Sequence, residues 1–200
     1  MLAAELAARL RPSSPVVLAL PRGGVPVAAE VAAGLSAPLG VILVRKLGVP
    51  GHRELAMGAL AMIGEEVSLF RNADVIRDLG ISDSAFEAVR AEELAELQRR
   101  RTALGGAAPA VTDAEAIVVD DGLATGSTML AAVAALRPQA PAKIIVAIPV
   151  ASRSAVRSVG AVADLVICPA MPEPFFAVGA AYQDFRQLSD DQVMAILQRY

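Results

Sequence analysis

Apolar residues fall in short blocks along this chain, each closed by turn-forming or charged positions, and two kinds of block alternate. Val16 to Leu20, Leu39 to Val44, Ala116 to Val119, Lys143 to Val150 and Leu165 to Cys168 are nearly continuous and rich in β-branched residues, which predicts strands buried on both faces. Between them, Val25 to Ala33, Met129 to Leu136 and Ser152 to Val159 carry helix-compatible residues over lengths suited to short covering helices. Met1 to Leu10 reads as an amphipathic helix over one edge of the domain. Ser82 to Leu104 reads as a long charged helix, with Glu87, Glu92, Glu93 and Glu96 ahead of Arg99, Arg100 and Arg101 as the helix dipole favours. Leu55 to Ile63 and Val67 to Phe70 suggest a hairpin turning at Gly64-Glu65-Glu66. Strands alternating with helices imply an α/β fold around a doubly wound, mostly parallel sheet, whose ligands sit at the carboxyl ends of the strands.

Three predicted strand ends carry chemistry. After Ile117-Val118-Val119 come Asp120 and Asp121, then the small, hydroxyl-rich Gly122-Leu-Ala-Thr-Gly-Ser-Thr128, then a helix. A loop of small residues entering a helix turns backbone N–H groups toward an anion, where the dipole also favours negative charge. Two carboxylates beside it repel phosphate and suit hydroxyls, a metal ion or developing positive charge, and a phosphorylated sugar offers all three. An ordinary β-to-α turn would use the same residues only for capping, at the cost of burying two acids without a task. Val16 to Leu20 runs into Pro21-Arg22-Gly23-Gly24, a second strand-loop-helix junction, where Arg22 adds a forked cation; a tight turn with a solvated Arg22 is the simpler reading. Leu39 to Val44 ends in Arg45-Lys46, two cations fit to balance a doubly charged pyrophosphate.

The order of four apolar or small positions, two acids and a Gly/Thr/Ser loop resembles the 5-phosphoribosyl 1-pyrophosphate (PRPP) signature of the type I phosphoribosyltransferases, and Asp120 to Thr128 is closest to its adenine phosphoribosyltransferase form. The resemblance implies that Asp120 and Asp121 hold the ribose 2- and 3-hydroxyls and that Ala124, Thr125, Gly126, Ser127 and Thr128 hold the 5-phosphate. It makes Pro21 to Gly24 the pyrophosphate loop, with Arg22, Gly23 and Gly24 in contact with substrate and a strained non-proline peptide, of the kind that can turn cis, near Arg22–Gly23. It makes Arg45-Lys46 the start of a mobile catalytic loop. Gly48, Pro50 and Gly51 disfavour helix and strand there, so Gly48 to Glu54 is expected to be a lid that brings Arg53 to the leaving group. A plain surface hairpin is the alternative. Hypoxanthine–guanine members carry an acid where this chain has Ala124, so that contact to the base is absent. Magnesium is expected to be held mainly by PRPP oxygens and water, with no protein metal site.

Composition narrows the setting. At 200 residues the chain suits a single domain, 1–200, with a core of about 14–168 and a small C-terminal hood of about 169–200. It is 55% hydrophobic, yet no apolar run nears the ~20 residues that span a bilayer, and Met1 to Arg11 lacks a signal-peptide pattern, so a cytoplasmic protein without membrane contact is expected. A net charge of −3 with no basic block argues against nucleic-acid polymers as partners, and the lone Cys168 leaves no internal disulfide. His52 reads as a solvated loop residue. The Arg99 to Arg101 run could reach phosphate, but a solvated helix end or a subunit contact is the simpler role.

The tail breaks the rhythm. Pro169, Pro172 and Pro174 forbid regular structure, and Phe175, Phe176, Tyr182 and Phe185 place four of seven aromatic residues in eleven positions. Phe175 and Phe176 are the candidates to stack on a flat ring, as the family's hood does; a small apolar cap is the equal alternative. Ser189 to Gln198 closes the chain as a capped helix. The expected function is transfer of the 5-phosphoribosyl group from PRPP to a small nitrogenous acceptor such as a nucleobase, with pyrophosphate released, by a homodimer. The alternative is a PRPP- or nucleotide-binding regulatory module that does not turn its ligand over. Neither GxxxxGK[ST] nor GxGxxG occurs.

Overall fold

The structure, a computed structural model, describes residues 2–9, 14–104 and 109–200, except for the side chain of Glu54. Five parallel strands form the main sheet: β1 (Pro15–Ala19), β2 (Leu39–Val41), β6 (Glu115–Val119), β7 (Lys143–Ala147) and β8 (Leu165–Ile167), in the spatial order β2-β1-β6-β7-β8. Three further strands, β3 (Leu43–Val49), β4 (His52–Ile63) and β5 (Glu66–Arg71), make a separate antiparallel sheet. The helices are α1 (Leu2–Arg9), α2 (Gly24–Leu35), α3 (Ala73–Asp78), α4 (Asp83–Leu104), α5 (Ser127–Leu136), α6 (Arg153–Gly160) and α7 (Asp190–Leu197).

Alternation along the strands sorts the core into two layers. Val17, Ala19, Ile117, Val119, Ile145 and Ala147 face one side with α1, α2 and Val193 of α7. Val16, Leu18, Ala116, Val118, Ile144 and Val146 face the other with α5 and α6. The central strands are buried on both faces, which is why their sequences are apolar without interruption. The chain winds outward in both directions from the β1–β6 pair: β1 leads through α2 to β2, and β6 leads through α5 to β7. The reversal leaves a crevice between the carboxyl ends of β1 and β6, where Ala19 pairs with Val119.

The second sheet lies over α5. Ala59, Ala61 and Ile63 of β4 share a core with Met129, Ala132, Val133 and Leu136, while Leu43, Leu47, Leu60 and Met62 pack under Phe86, Leu97 and Leu104 of α4. This corrects the expected layout. Leu39 to Val44 is not one strand: the Ile42 N–H donates to the Ala19 carbonyl at 3.0 Å, after which the chain leaves the parallel sheet. Arg45 and Lys46 therefore lie within β3 and not at a parallel strand end. Gly48 to Glu54, expected to suit neither helix nor strand, is a hairpin turning at Pro50-Gly51, with Gly48 and Val49 closing β3 and Arg53 near the start of β4. Gly48 fits because the strands cross tightly at a bulge: a Cβ there would lie 2.8 Å from the Arg53 carbonyl oxygen and 2.9 Å from its Cα. Helix α3, capped by Asn72, falls in a stretch for which no element was expected.

Beyond β8 the chain is irregular, with a cis Glu173–Pro174 bond and a short 3₁₀ turn at Val178–Ala181. It ends in α7, which opens on a Ser189/Gln192 capping box. The Tyr200 hydroxyl donates to the Ala29 carbonyl at 2.7 Å and ties this end to α2. No helix among the described residues is long and apolar enough to cross a membrane.

Candidate functional site

Because β1 and β6 are adjacent and parallel, the loops that follow them meet at one end of the sheet. The Leu20 N–H donates to the Val119 carbonyl at 2.9 Å, so the two chains are still zipped together where the loops begin. The Pro21–Arg22 peptide is cis, one bond before the position expected from sequence, and Gly23 and Gly24 then pass directly over the acids. A Cβ on Gly23 would lie 1.8 Å from Asp121 Oδ2, and one on Gly24 would lie 2.7 Å from the Val119 carbonyl oxygen and 2.9 Å from Asp120 Cα. At Gly24 the atoms in the way are backbone, and at Gly23 they belong to the Asp121 side chain, which a methyl group would displace; the acidic pair and the arginine–diglycine bend form one cleft.

The acids are half-buried and close to each other. The Asp121 N–H donates to Asp120 Oδ1 at 2.9 Å. Burial, and then the charge of Asp121, pushes the Asp120 carboxyl up to about 7; burial also raises Asp121. A site that raises both carboxyls favours ligands that restore the charged form, such as hydroxyl donors or a cationic centre.

The loop after the acids is fastened from behind. Leu123 exchanges backbone hydrogen bonds with Val150 (3.0 Å) and Ser152 (2.9 Å), and the Ser152 hydroxyl donates to the Ala124 carbonyl at 2.7 Å. Gly126 caps α5 at φ 75°, a left-handed conformation that glycine adopts freely. Thr125 and Ser127 hydroxyls lie 3.2 Å apart at the start of α5, and Thr125 and Thr128 are exposed. Small side chains, exposed hydroxyls and a helix N-terminus thus sit beside the acids.

Among the described residues, three cavities border the Pro21–Arg22 bend. One of about 700 Å³ is bounded by Arg22, Gly23, Asp121, Tyr182, Phe185 and Gln187. A second, of about 580 Å³, gathers Pro21, Arg45, Lys46, Arg53 and Thr128 with Arg100 of α4. A third, of about 390 Å³, lies between them along Pro21, Arg22, Arg100, Gln187 and Asp190. Arg22 also reaches Asp190 at 3.7 Å. Arg45, Lys46 and Arg53 therefore border a cavity that reaches Pro21 and Thr128, although β3 and β4 belong to another sheet. Arg45 is already paired with Glu93 of α4.

The phosphoribosyl transferase domain family matches residues 1–184 of the chain. The chain belongs to that family. Among its relatives are proteins of Mycobacterium tuberculosis strains CDC 1551 and H37Rv, each 46% identical over 198 residues and each bearing a provisional phosphoribosyl transferase name. The match takes in 98% of this chain but 44% of theirs, so the chain spans under half the length of these curated relatives. The crystal structure of a protein from Thermus thermophilus is 40% identical, with a TM-score of 0.85 over 99% of this chain and 93% of that one.

Within this phosphoribosyl transferase fold, the aromatic residues beside the acids are not the pair singled out from sequence. Phe176 is 82% exposed, and neither it nor the half-buried Phe175 bounds the 700 Å³ cavity. Tyr182 and Phe185 do, with ring centroids 5.2 Å apart, and the Tyr182 hydroxyl donates to the Asp121 carbonyl at 2.6 Å. Burial, then the charges of the two acids, pushes that hydroxyl up to about 12. The sequence cluster marks the right segment, but only the fold shows that the half-buried Tyr182 and the exposed Phe185 are the rings that border the cavity. His52 is exposed beside the hairpin turn. Cys168 is half-buried and donates to the Ala170 carbonyl at 3.2 Å.

Proposed function

We propose that the chain transfers the 5-phosphoribosyl group of PRPP to a small nitrogenous acceptor, a nucleobase being the class that best fits the aromatic-walled cavity, and releases pyrophosphate. The observation that carries this reading is the single cleft in which Gly23 and Gly24 lie against Asp121 and Asp120. A ribose with phosphate groups at both ends needs hydroxyl acceptors between two anion sites, and the cleft offers that order.

In the reaction the bond from the sugar C1 to the pyrophosphate oxygen breaks, a bond from C1 to the acceptor nitrogen forms, and the nitrogen's proton leaves to water. Positive charge develops on the ribose ring as the leaving group departs. Asp120 and Asp121 accept hydrogen bonds from the ribose hydroxyls and stabilise that charge, and their raised affinity for protons is relieved by both partners. Ala124 to Thr128 at the start of α5 hold the 5-phosphate through backbone N–H groups and the hydroxyls of Thr125, Ser127 and Thr128. Arg22, Arg45, Lys46 and Arg53 stabilise the departing pyrophosphate, with Arg45 exchanging Glu93 for the substrate. Closing the cleft holds donor and acceptor in reacting geometry.

Magnesium fits as a partner of the substrate. Among the described residues no group of three or more His, Cys, Asp or Glu gathers to hold a metal, and the carboxylates beside the diglycine bend are Asp120 and Asp121. Asp120 and Asp121 would be the groups able to hold an ion otherwise carried by PRPP oxygens and water, and such an ion would screen pyrophosphate charge.

Pyrophosphate release from PRPP and magnesium, measured across a panel of nucleobases and amines, tests the proposal. Release with at least one acceptor, abolished in Asp120→Asn/Asp121→Asn with the fold retained, is the expected result. PRPP binding without release for any acceptor would favour a regulatory module, and undiminished release by the double variant would overturn the site assignment.

A further inference from the structure

The arginine run at the end of α4 divides by direction. Arg99 turns to Glu96, with contacts of 2.7, 2.8 and 2.9 Å. Arg101 crosses to Glu65 at the β4–β5 turn at 3.2 Å. Among the described residues Arg100 has a longer 3.5 Å approach to the same Glu96 carboxylate that Arg99 occupies, and it borders two of the cavities around the Pro21–Arg22 bend, of which Arg99 and Glu96 border only the smaller. One turn earlier, Leu97 is fully buried and lines the 580 Å³ cavity, so the face of α4 that carries Arg100 is fixed against the hairpin sheet.

Charge in that cavity suggests a task. Its walls hold the cations Arg45, Lys46, Arg53 and Arg100 and the carboxylates Glu92 and Glu93, with Glu93 paired to Arg45. A pyrophosphate beside Thr128 and Pro21 meets a wall whose net positive charge is halved if Arg100 is removed. Arg100 is also the cation that spans the wall between this cavity and the one holding Arg22.

We infer that Arg100 is a pyrophosphate-contacting residue, supplied by α4 from outside the parallel sheet, which together with Arg22 and Lys46 grips the leaving group of the donor. The inference rests on the donor reading above and adds to it a residue that lies on neither loop of the signature. A planar guanidinium on an anchored helix loses little freedom when it bridges two phosphoryl oxygens.

Titration calorimetry of the full chain with magnesium pyrophosphate tests the inference without turnover. Arg100→Ala is expected to weaken binding roughly 10- to 100-fold, Arg100→Lys to recover part of the loss, and Arg99→Ala to change it by less than about 2-fold, with circular dichroism confirming that each variant is folded. Tight binding by Arg100→Ala while Lys46→Ala binds poorly would overturn the role of Arg100 and leave the donor site standing, as would equal losses in Arg99→Ala and Arg100→Ala. A wild-type chain that binds no pyrophosphate would overturn both.

Discussion

Gly23 and Asp121, 98 positions apart in sequence, are so close that a single methyl group cannot be placed between them: a Cβ on Gly23 would stand 1.8 Å from Asp121 Oδ2. The backbone of Gly23 is ordinary, at φ −63° and ψ −33°, so its lack of a side chain answers to space and not to conformation. The atom in the way is the end of a side chain, which can swing aside. Gly23→Ala is therefore expected to cost little stability, about 1 kcal/mol, while displacing the carboxylate and reducing PRPP-dependent pyrophosphate release by roughly 100-fold or more. Gly24 meets backbone atoms of Val119 and Asp120, which cannot yield, so Gly24→Ala is expected to cost about 1–3 kcal/mol as well as activity. Thermal melts beside a release assay separate the two; equal melting temperatures for both variants would contradict the contact.

The acidic pair gives the protein a pH dependence whose sign can be worked out. Asp120 rises from 3.8 to about 7 on folding, so between those values the folded state binds more protons than the unfolded one, and stability falls as pH rises through the window. The shift caps the effect near ~4 kcal/mol, and water access to the half-buried pair reduces it to roughly 1–3 kcal/mol. Asp120→Asn removes the titrating group, so its urea midpoint is expected to change less than that of the wild type between pH 5 and pH 8.5 and to exceed it at pH 8.5. PRPP binding, on the proposed reading, is expected to run the other way and to strengthen toward pH 8, where both acids are ionised acceptors. Parallel pH profiles of stability for the two proteins would show that Asp120 is not held neutral by the fold.

Tyr182 joins the C-terminal segment to the acid loop through one hydrogen bond to the Asp121 carbonyl. Tyr182→Phe keeps the ring against Phe185 and removes only that bond, for an expected loss of about 0.5–1.5 kcal/mol in stability. Since this ring borders the 700 Å³ cavity, which no residue of β3 or β4 lines, the change is expected to raise KM for the acceptor more than KM for PRPP. The reverse ordering would place the acceptor elsewhere.

The parallel core and the acid loop were legible because each is local: an apolar run, two acids and a glycine-rich turn are neighbours in sequence, and burial on both faces leaves an unmistakable pattern in β1, β6 and β7. The antiparallel sheet was only half legible. Its β4–β5 turn is legible, but Arg45 and Lys46 read as a parallel strand end because Leu39 to Val44 is apolar throughout, and Ile42 bears no mark of the change of sheet. A signal did exist in α5, where Met129 to Leu136 holds no polar residue. A helix over one face of a sheet needs an apolar stripe, whereas one apolar all round has partners on both sides, and β4 is the second. Which rings of the tail border the cavity is illegible, since Tyr182 is turned by a bond to a carbonyl 61 residues away.

Gly48 and Pro50 looked like the marks of a mobile lid, and the same glycine turns out to be what lets two strands cross. Its absent Cβ is replaced by the backbone of Arg53, at 2.8 Å to the carbonyl oxygen and 2.9 Å to Cα, both immovable without opening β3 from β4. Gly48→Ala is expected to separate the strands at the bulge, cost about 1–3 kcal/mol and shift Arg53 away from the cavity it shares with Arg45 and Lys46. Pyrophosphate affinity is then expected to fall by roughly 10-fold, while the geometry of the Asp120–Asp121 loop is expected to be unchanged. Gly51→Ala is the informative partner. Gly51 has φ 80° and nothing within 4 Å of where a Cβ would stand, so its cost is one of turn conformation and its strands stay in register. Pyrophosphate titrations of both variants decide between a built hairpin and a free lid: a built hairpin loses affinity with Gly48→Ala and keeps most of it with Gly51→Ala, whereas a free lid would respond to both alike.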